Sequence, residues 1–178
     1  MTEAKMEDHL VRPMDAGDLS MVLAWRNHPD VRRHMFTRHE IGLEEHQHWF
    51  RVAREDPRQH LFVFEIRGVP QGVVTFKRLG SGAVADWGFY ASPAAPAGTG
   101  KLLGHAALTH AFGQLQLHKV CGQALTENQR SIRLHMSLGF AQEGVLREQH
   151  FDGVQYQHII CFGMLGREWQ SRLSCIRI

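Results

Sequence analysis

Residues 95–101, APAGTGK, run out of a Pro/Ala-rich loop directly into an apolar pattern of helical period that continues to Phe112. Free N–H groups around Gly98, Thr99, Gly100 and Lys101, together with the positive end of the helix dipole, make a site for an anion, and the glycines let a phosphate approach the backbone closely. Two common nucleotide motifs are absent: GxxxxGK[ST] has no match, and the GxGxxG fingerprint would need glycine where Leu103 stands. Thirteen histidines raise the question of a metal. A helical ligand pair needs a spacing of three or four, whereas His46 and His48 are two apart and His105 and His110 five apart. No metal is expected.

What must position that loop is a series of alternating elements. Residues 10–14 read as a short strand, and residues 15–27 as a helix with Asp15 or Asp18 as N-cap. Pro29 restarts the chain as a second short helix through Met35. A third covers 43–56, with Glu44 and Glu45 in its first turn and Arg51 and Arg54 later, as the dipole favours. Residues 60–68 and 72–80 are strands joined by a turn at Gly68-Val69-Pro70. Residues 83–93 are a fourth strand, on which Asp86, Gly88 and Tyr90 face one way and Trp87, Phe89 and Ala91 the other. The glycine-loop helix, a strand over 119–126, a helix over 128–138 and a hairpin (140–151 and 154–165, around Asp152-Gly153) follow. The pattern predicts one mixed α/β (α+β) domain, residues 1–178, on a single twisted, mostly antiparallel sheet.

Composition excludes several classes. With 178 residues, 43% apolar and 21% charged content and a formal charge of +2, the chain has neither a nucleic-acid-binding tail nor a disordered bias, and a core can form without disulfides. No segment approaches the roughly 20 apolar residues of a membrane span, and the N-terminus MTEAKMEDHL is polar and acidic. Cys121, Cys161 and Cys175 have no CxxC spacing, which fits packed thiols in a reducing compartment. A cytoplasmic protein without nucleic-acid or membrane partners is expected. All lysines and arginines except Lys5, Lys77, Lys101 and Lys119 are arginine, whose forked guanidinium suits phosphate and carboxylate.

The order of parts, a strand ending in DWGFYASP, a glycine loop, a helix, a strand and then NQRSIRLHMSLGF, resembles the GCN5-related N-acetyltransferase (GNAT) superfamily. The resemblance implies a seven-stranded sheet flanked by helices and acetyl-CoA as co-substrate. It places the loop amides of Ala95, Gly98, Thr99, Gly100 and Lys101 on the pyrophosphate, and Asn128 and Ser131 on the pantetheine arm. Tyr90, Ala91 and Ser92 fall at the splayed strand end, where a backbone N–H polarises the thioester carbonyl. Two positions depart from the family pattern. Ala95 stands where Arg or Gln is usual, and His135 stands where a Tyr protonates the departing thiolate. An imidazolium, with an ordinary pKa of about 6.5, can also donate that proton, so His135 is the expected general acid.

Residues 25–50, WRNHPDVRRHMFTRHEIGLEEHQHWF, narrow the resemblance to bacterial nucleotide-sugar acetyltransferases of pseudaminic acid biosynthesis. Those enzymes acetylate the 4-amino group of a UDP-linked 4-amino-4,6-dideoxy sugar used in flagellin glycosylation. The likeness implies that Arg26, Asn27 and His46 face the nucleotide-sugar, and it allows a homodimer; Trp87 reads as a core residue, with stacking on uracil as its alternative role. An amine attacks only when neutral, so Asp86, shared with Glu127 at the next strand's end, is the expected base or water-orienting group. Two alternatives remain: a GNAT enzyme acting on a protein N-terminus, polyamine or aminoglycoside, and a non-catalytic acyl-CoA-binding module. A cationic acceptor would want an acidic cleft, whereas Arg26, Arg32, Arg33 and Arg38 favour an anionic one.

Overall fold

Alternating apolar residues along each strand bury one set on each face of the sheet, so helices must cover both. A computed structural model describes residues 8–176 in this arrangement; the acidic stretch before Asp8 and the last two residues lie outside the described residues. The strands are β1 (His9–Pro13), β2 (Gln59–Ile66), β3 (Val69–Arg78), β4 (Val84–Ala91), β5 (Lys119–Leu125), β6 (Ala141–Phe151) and β7 (Tyr156–Leu165). They form one sheet in the order β1-β2-β3-β4-β5-β7-β6, antiparallel at every pairing except β4 with β5.

The helices are α1 (Leu19–Asn27), α2 (Pro29–Arg32), α3 (Leu43–Glu55), α4 (Thr99–Gly113), α5 (Gln129–Leu138) and α6 (Gly166–Ile176). On one face Val22 of α1 and Phe50 of α3 pack on Val63 and Val73. On the other, Leu103, Ala107, Leu108 and Ala111 of α4, Leu138 of α5 and Trp169 of α6 pack on Phe62, Phe64, Val74 and Phe76. Neighbouring residues such as Val63 and Phe64 thus serve opposite cores, as a period of two requires. Arg12 bridges Asp18 and Glu65 at 2.7–2.8 Å, tying the start of α1 to β2. Among the described residues no helix is long and apolar enough to cross a membrane.

Three expectations change. The β2–β3 turn is Arg67-Gly68, both at positive φ (52° and 74°), so Val69 and Pro70 begin β3. This two-residue left-handed turn matches the twist of the strands it joins. The second helix ends at Arg32, and residues 33–42 become a loop instead. Residues after Leu165 form α6, which the pattern reading did not anticipate. Its signal is the four-residue spacing of Trp169 and Leu173, with Trp169 2% exposed. The Glu168 carboxylate accepts from the Leu165 N–H at 2.9 Å and closes the first turn.

Candidate active site

The parallel β4–β5 ladder holds only Val84–Asp86 against Lys119–Cys121. Beyond it β4 stays with β3 as far as Ala91, and β5 stays with β7 as far as Leu125. The two strands therefore splay, leaving the backbone N–H and C=O groups of alternate residues over 87–91, those turned away from β3, free to pair with an extended, amide-bearing ligand. A cleft of about 710 Å³ occupies the splay. Its wall on the α4–α5 side includes Phe89, Ala91, Ser92, Ala95, Gly100, Asn128, Ser131 and Leu134; its wall on the α1–α2 side includes Val31, Arg33, His34, Phe36, Asp86, Tyr90 and Cys121. One ligand can thus enter from each face of the sheet and meet the other at the splay.

The cofactor side fits acetyl-CoA, with a refinement. Gly98 is the N-cap of α4 and adopts φ 90°, a left-handed conformation that glycine tolerates and other residues resist. Among the described residues the N–H groups of Ala97, Gly98 and Gly100 donate to no protein acceptor, so three amides at a helix N-terminus are available to a phosphate. The amides of Ala95, Thr99 and Lys101 are committed instead, to the carbonyls of Ser92, Pro96 and Gly98. The Thr99 hydroxyl also bonds Pro96 O, at 2.8 Å, and Ser92 Oγ accepts from the Ala94 N–H. Asn128 caps α5: its Oδ1 accepts from the Ser131 N–H at 3.1 Å, which leaves its amide NH2 for a ligand.

His135 does not suit the role of general acid. It is 1% exposed, on the cleft floor. Its Nε2 accepts from Trp87 Nε1–H at 3.1 Å and its Nδ1–H donates to Ser131 O at 2.8 Å, so the ring is neutral with both nitrogens engaged. Burial pushes its pKa down to about 4. Trp87 is likewise core, 7% exposed and stacked on Phe140, as its main reading in the sequence has it. A side chain at Gly122 would collide with Nε2 of His135 and Nε1 of Trp87, so β5 accommodates the pair only through glycine. Two cleft groups keep a proton they could give up, the Tyr90 phenol and the Cys121 thiol, both pushed up by burial.

His135→Phe is therefore expected to act on stability. The Trp87 N–H loses its acceptor, at a cost of about 1–3 kcal/mol for an unsatisfied buried donor. A second signature is the pH dependence. Because the unfolded chain binds the His135 proton near pH 6.5 and the folded chain only near pH 4, stability falls on acidification through that window. The variant should flatten that slope with kcat nearly unchanged, as read by urea unfolding at pH 7 and 5 alongside steady-state rates. A loss of about 10²-fold in kcat would restore the acid role.

Arg26, Asn27 and His46 stand behind the cleft wall, not in it. Asn27 exchanges two 2.8 Å hydrogen bonds with the Ile41 backbone, and Arg26 donates to Thr37 O at 2.8 Å. They staple the loop that follows α2. His46 is 3% exposed, stacks on Trp49, and is pushed towards the neutral form by burial and by Arg26. The Glu127 carboxylate is taken up by Arg38, a partner that sequence reasoning did not supply. Asp86 fits its expected role best. It lines the cleft at the last β4–β5 ladder position, has no hydrogen-bond partner among the described residues, and burial raises its pKa against the opposing pull of Lys77. Among the described residues no group of three or more His, Cys, Asp or Glu could hold a metal.

A sheet that opens between its fourth and fifth strands, with unspent helix amides on one side of the gap and an unpaired carboxylate on the other, defines an acyl-CoA-dependent transferase. The chain belongs to the GNAT family: the acetyltransferase (GNAT) domain model matches residues 9–141. It is an N-acetyltransferase that uses acetyl-CoA. The acetyltransferases PseH of two Campylobacter jejuni strains are 24% and 27% identical to it over 128 residues, 71% of this chain and 79% of each relative. A prophage-derived uncharacterized N-acetyltransferase, YokL, of Bacillus subtilis is 42% identical over 59 residues, 33% of each chain. Among solved structures, the spermidine N-acetyltransferase of Vibrio cholerae in complex with CoA and spermine superposes with a TM-score of 0.84 at 22% identity, covering 92% of this chain and 99% of that one.

Proposed function

We propose that the acceptor is a UDP-linked 4-amino-4,6-dideoxy sugar, acetylated on its 4-amino group by direct transfer, as in pseudaminic acid and flagellin-glycan biosynthesis. The observation that carries this reading is the charge around His34 in the acceptor wall. Burial foremost, then Arg33 and Arg130, hold the His34 pKa down against the opposing pull of Glu127, whose charge Arg38 in turn offsets. Arg33, paired with Asp30 at 3.1 Å, and Arg130 themselves line the cleft, and Arg130 has no carboxylate partner among the described residues. A diphosphate is the complementary ligand, since arginine presents paired donors to phosphate oxygens. The two distant relatives named acetyltransferase PseH are in line with the resemblance that residues 25–50 carry. In this reading Asp86 accepts the amine proton as the nitrogen attacks the thioester carbonyl, and backbone N–H groups at the splayed end of β4 polarise that carbonyl. Collapse of the tetrahedral intermediate then breaks the C–S bond and releases CoA as the thiolate, which takes a proton from the Tyr90 phenol or from solvent.

The test is thiol release from acetyl-CoA with the UDP-amino-sugar as acceptor. UDP is expected to compete with the sugar and not with acetyl-CoA. Arg33→Ala combined with Arg130→Ala should raise the acceptor KM at least about tenfold, since a charge-assisted hydrogen bond contributes about 1.5–3 kcal/mol. Turnover of a polyamine or peptide N-terminus with no effect of millimolar UDP would replace this reading with the cationic-acceptor one.

A further inference from the structure

Arg38 belongs to the loop between α2 and α3, the loop that supplies Arg33, His34 and Phe36 to the cleft wall. Its guanidinium pairs with Glu127, next to the wall residue Asn128, and Nη1 lies 3.6 Å from Asp152 Oδ2 in the β6–β7 turn. Phe36 meets His150 edge-on, ring centroids 5.4 Å apart, so the same loop reaches the β6–β7 hairpin twice. The two carboxylates come from the end of β5 and the β6–β7 turn, and Arg38 offsets one of their two charges beside the wall residues Phe36 and Asn128. Without it they would attract a polycation, because like charges beside a cleft focus its field. Asp152 would stay ionised: its Oδ1 accepts from the Val154 and Gln155 N–H groups at 2.8 and 2.9 Å, independently of Arg38. The Glu127 side chain is 45% exposed, so a competing cation can reach it.

We infer that Arg38 is a specificity-determining residue: it occupies, from within the chain, the two carboxylates that a polycationic amine would otherwise bind, and so keeps such amines out of the acceptor half. This rests on the anionic-acceptor reading above. Arg38 acts through Glu127 and Asp152, positioning charge without touching the reacting atoms.

The experiment is acetyl-CoA thiol release with spermidine as probe, on the full chain. Arg38→Ala is expected to raise kcat/KM for spermidine at least tenfold, mainly through a lower spermidine KM, with the acetyl-CoA KM unchanged. Arg38→Lys should keep the wild-type exclusion. Adding Glu127→Gln to Arg38→Ala should return the spermidine KM towards the wild-type value, and high salt should weaken the gain because the pair is exposed. Should Arg38→Ala lose its folded circular dichroism, Arg38→Gln keeps the side-chain volume and carries the same expectation. A folded variant that binds CoA like wild type yet gains no spermidine activity overturns the inference, as does efficient spermidine turnover by the wild type. Failure of the acceptor reading is seen separately, in the wild-type enzyme, as the absence of UDP competition.

Discussion

Asp86→Asn is expected to lower kcat by about 10²–10⁴-fold, the range for loss of a general base, with acetyl-CoA affinity unchanged. Three features single this carboxylate out. It stands at the last position of the β4–β5 ladder, where the cleft begins, and faces the acceptor side with Tyr90. No protein donor among the described residues satisfies it, in contrast to Glu127, held by Arg38, and Asp152, held by its turn. Burial also raises its pKa, which strengthens it as a base while Lys77, its cross-strand neighbour, limits the rise. The sign of the pH effect follows. Asp86 must be ionised to accept a proton, so kcat/KM falls as pH drops through its raised pKa, and the Asn variant loses that limb. A kcat within about threefold of wild type, across the pH profile, would mean that solvent takes the proton.

Gly98→Val should abolish most of the cofactor affinity, weakening CoA binding by about 10²–10³-fold in calorimetry. A β-branched residue at φ 90° carries about 1–3 kcal/mol of backbone strain. The loop relieves it by turning the free Ala97, Gly98 and Gly100 amides away, and each lost charge-assisted hydrogen bond removes about 1.5–3 kcal/mol. Gly100 behaves differently. A Cβ there would meet Leu134 Cδ2 at 3.6 Å, an ordinary contact, so Gly100→Ala leaves the loop unstrained and any loss of CoA affinity in it reports the approach of the phosphate itself. Unaltered CoA affinity in Gly98→Val would move the pyrophosphate away from this helix start.

The sequence by itself determined what is local. The glycine loop at the head of α4, the alternation that separates Asp86 from Trp87, the Asp152-Gly153 turn and the order of most strands and helices each depend on residues a few positions apart, where backbone sterics and periodicity act directly. The family was legible for the same reason, because its motifs are contiguous. Tertiary structure decided what depends on distant partners. His135 reads as a helix residue two turns from Asn128, and only the approach of Trp87 from β4 and the bare backbone of Gly122 on β5 make it a neutral core group. Arg26 and Asn27 read as ligand contacts, yet the path of the chain after α2 turns them inward to hold Thr37 and Ile41. Arg38, Glu127 and Asp152 are separated by up to more than a hundred residues, and no periodicity links them. Their charges meet because the fold brings the loop after α2, the end of β5 and the β6–β7 turn together beside the cleft, where the field is set by which side chains come together in space.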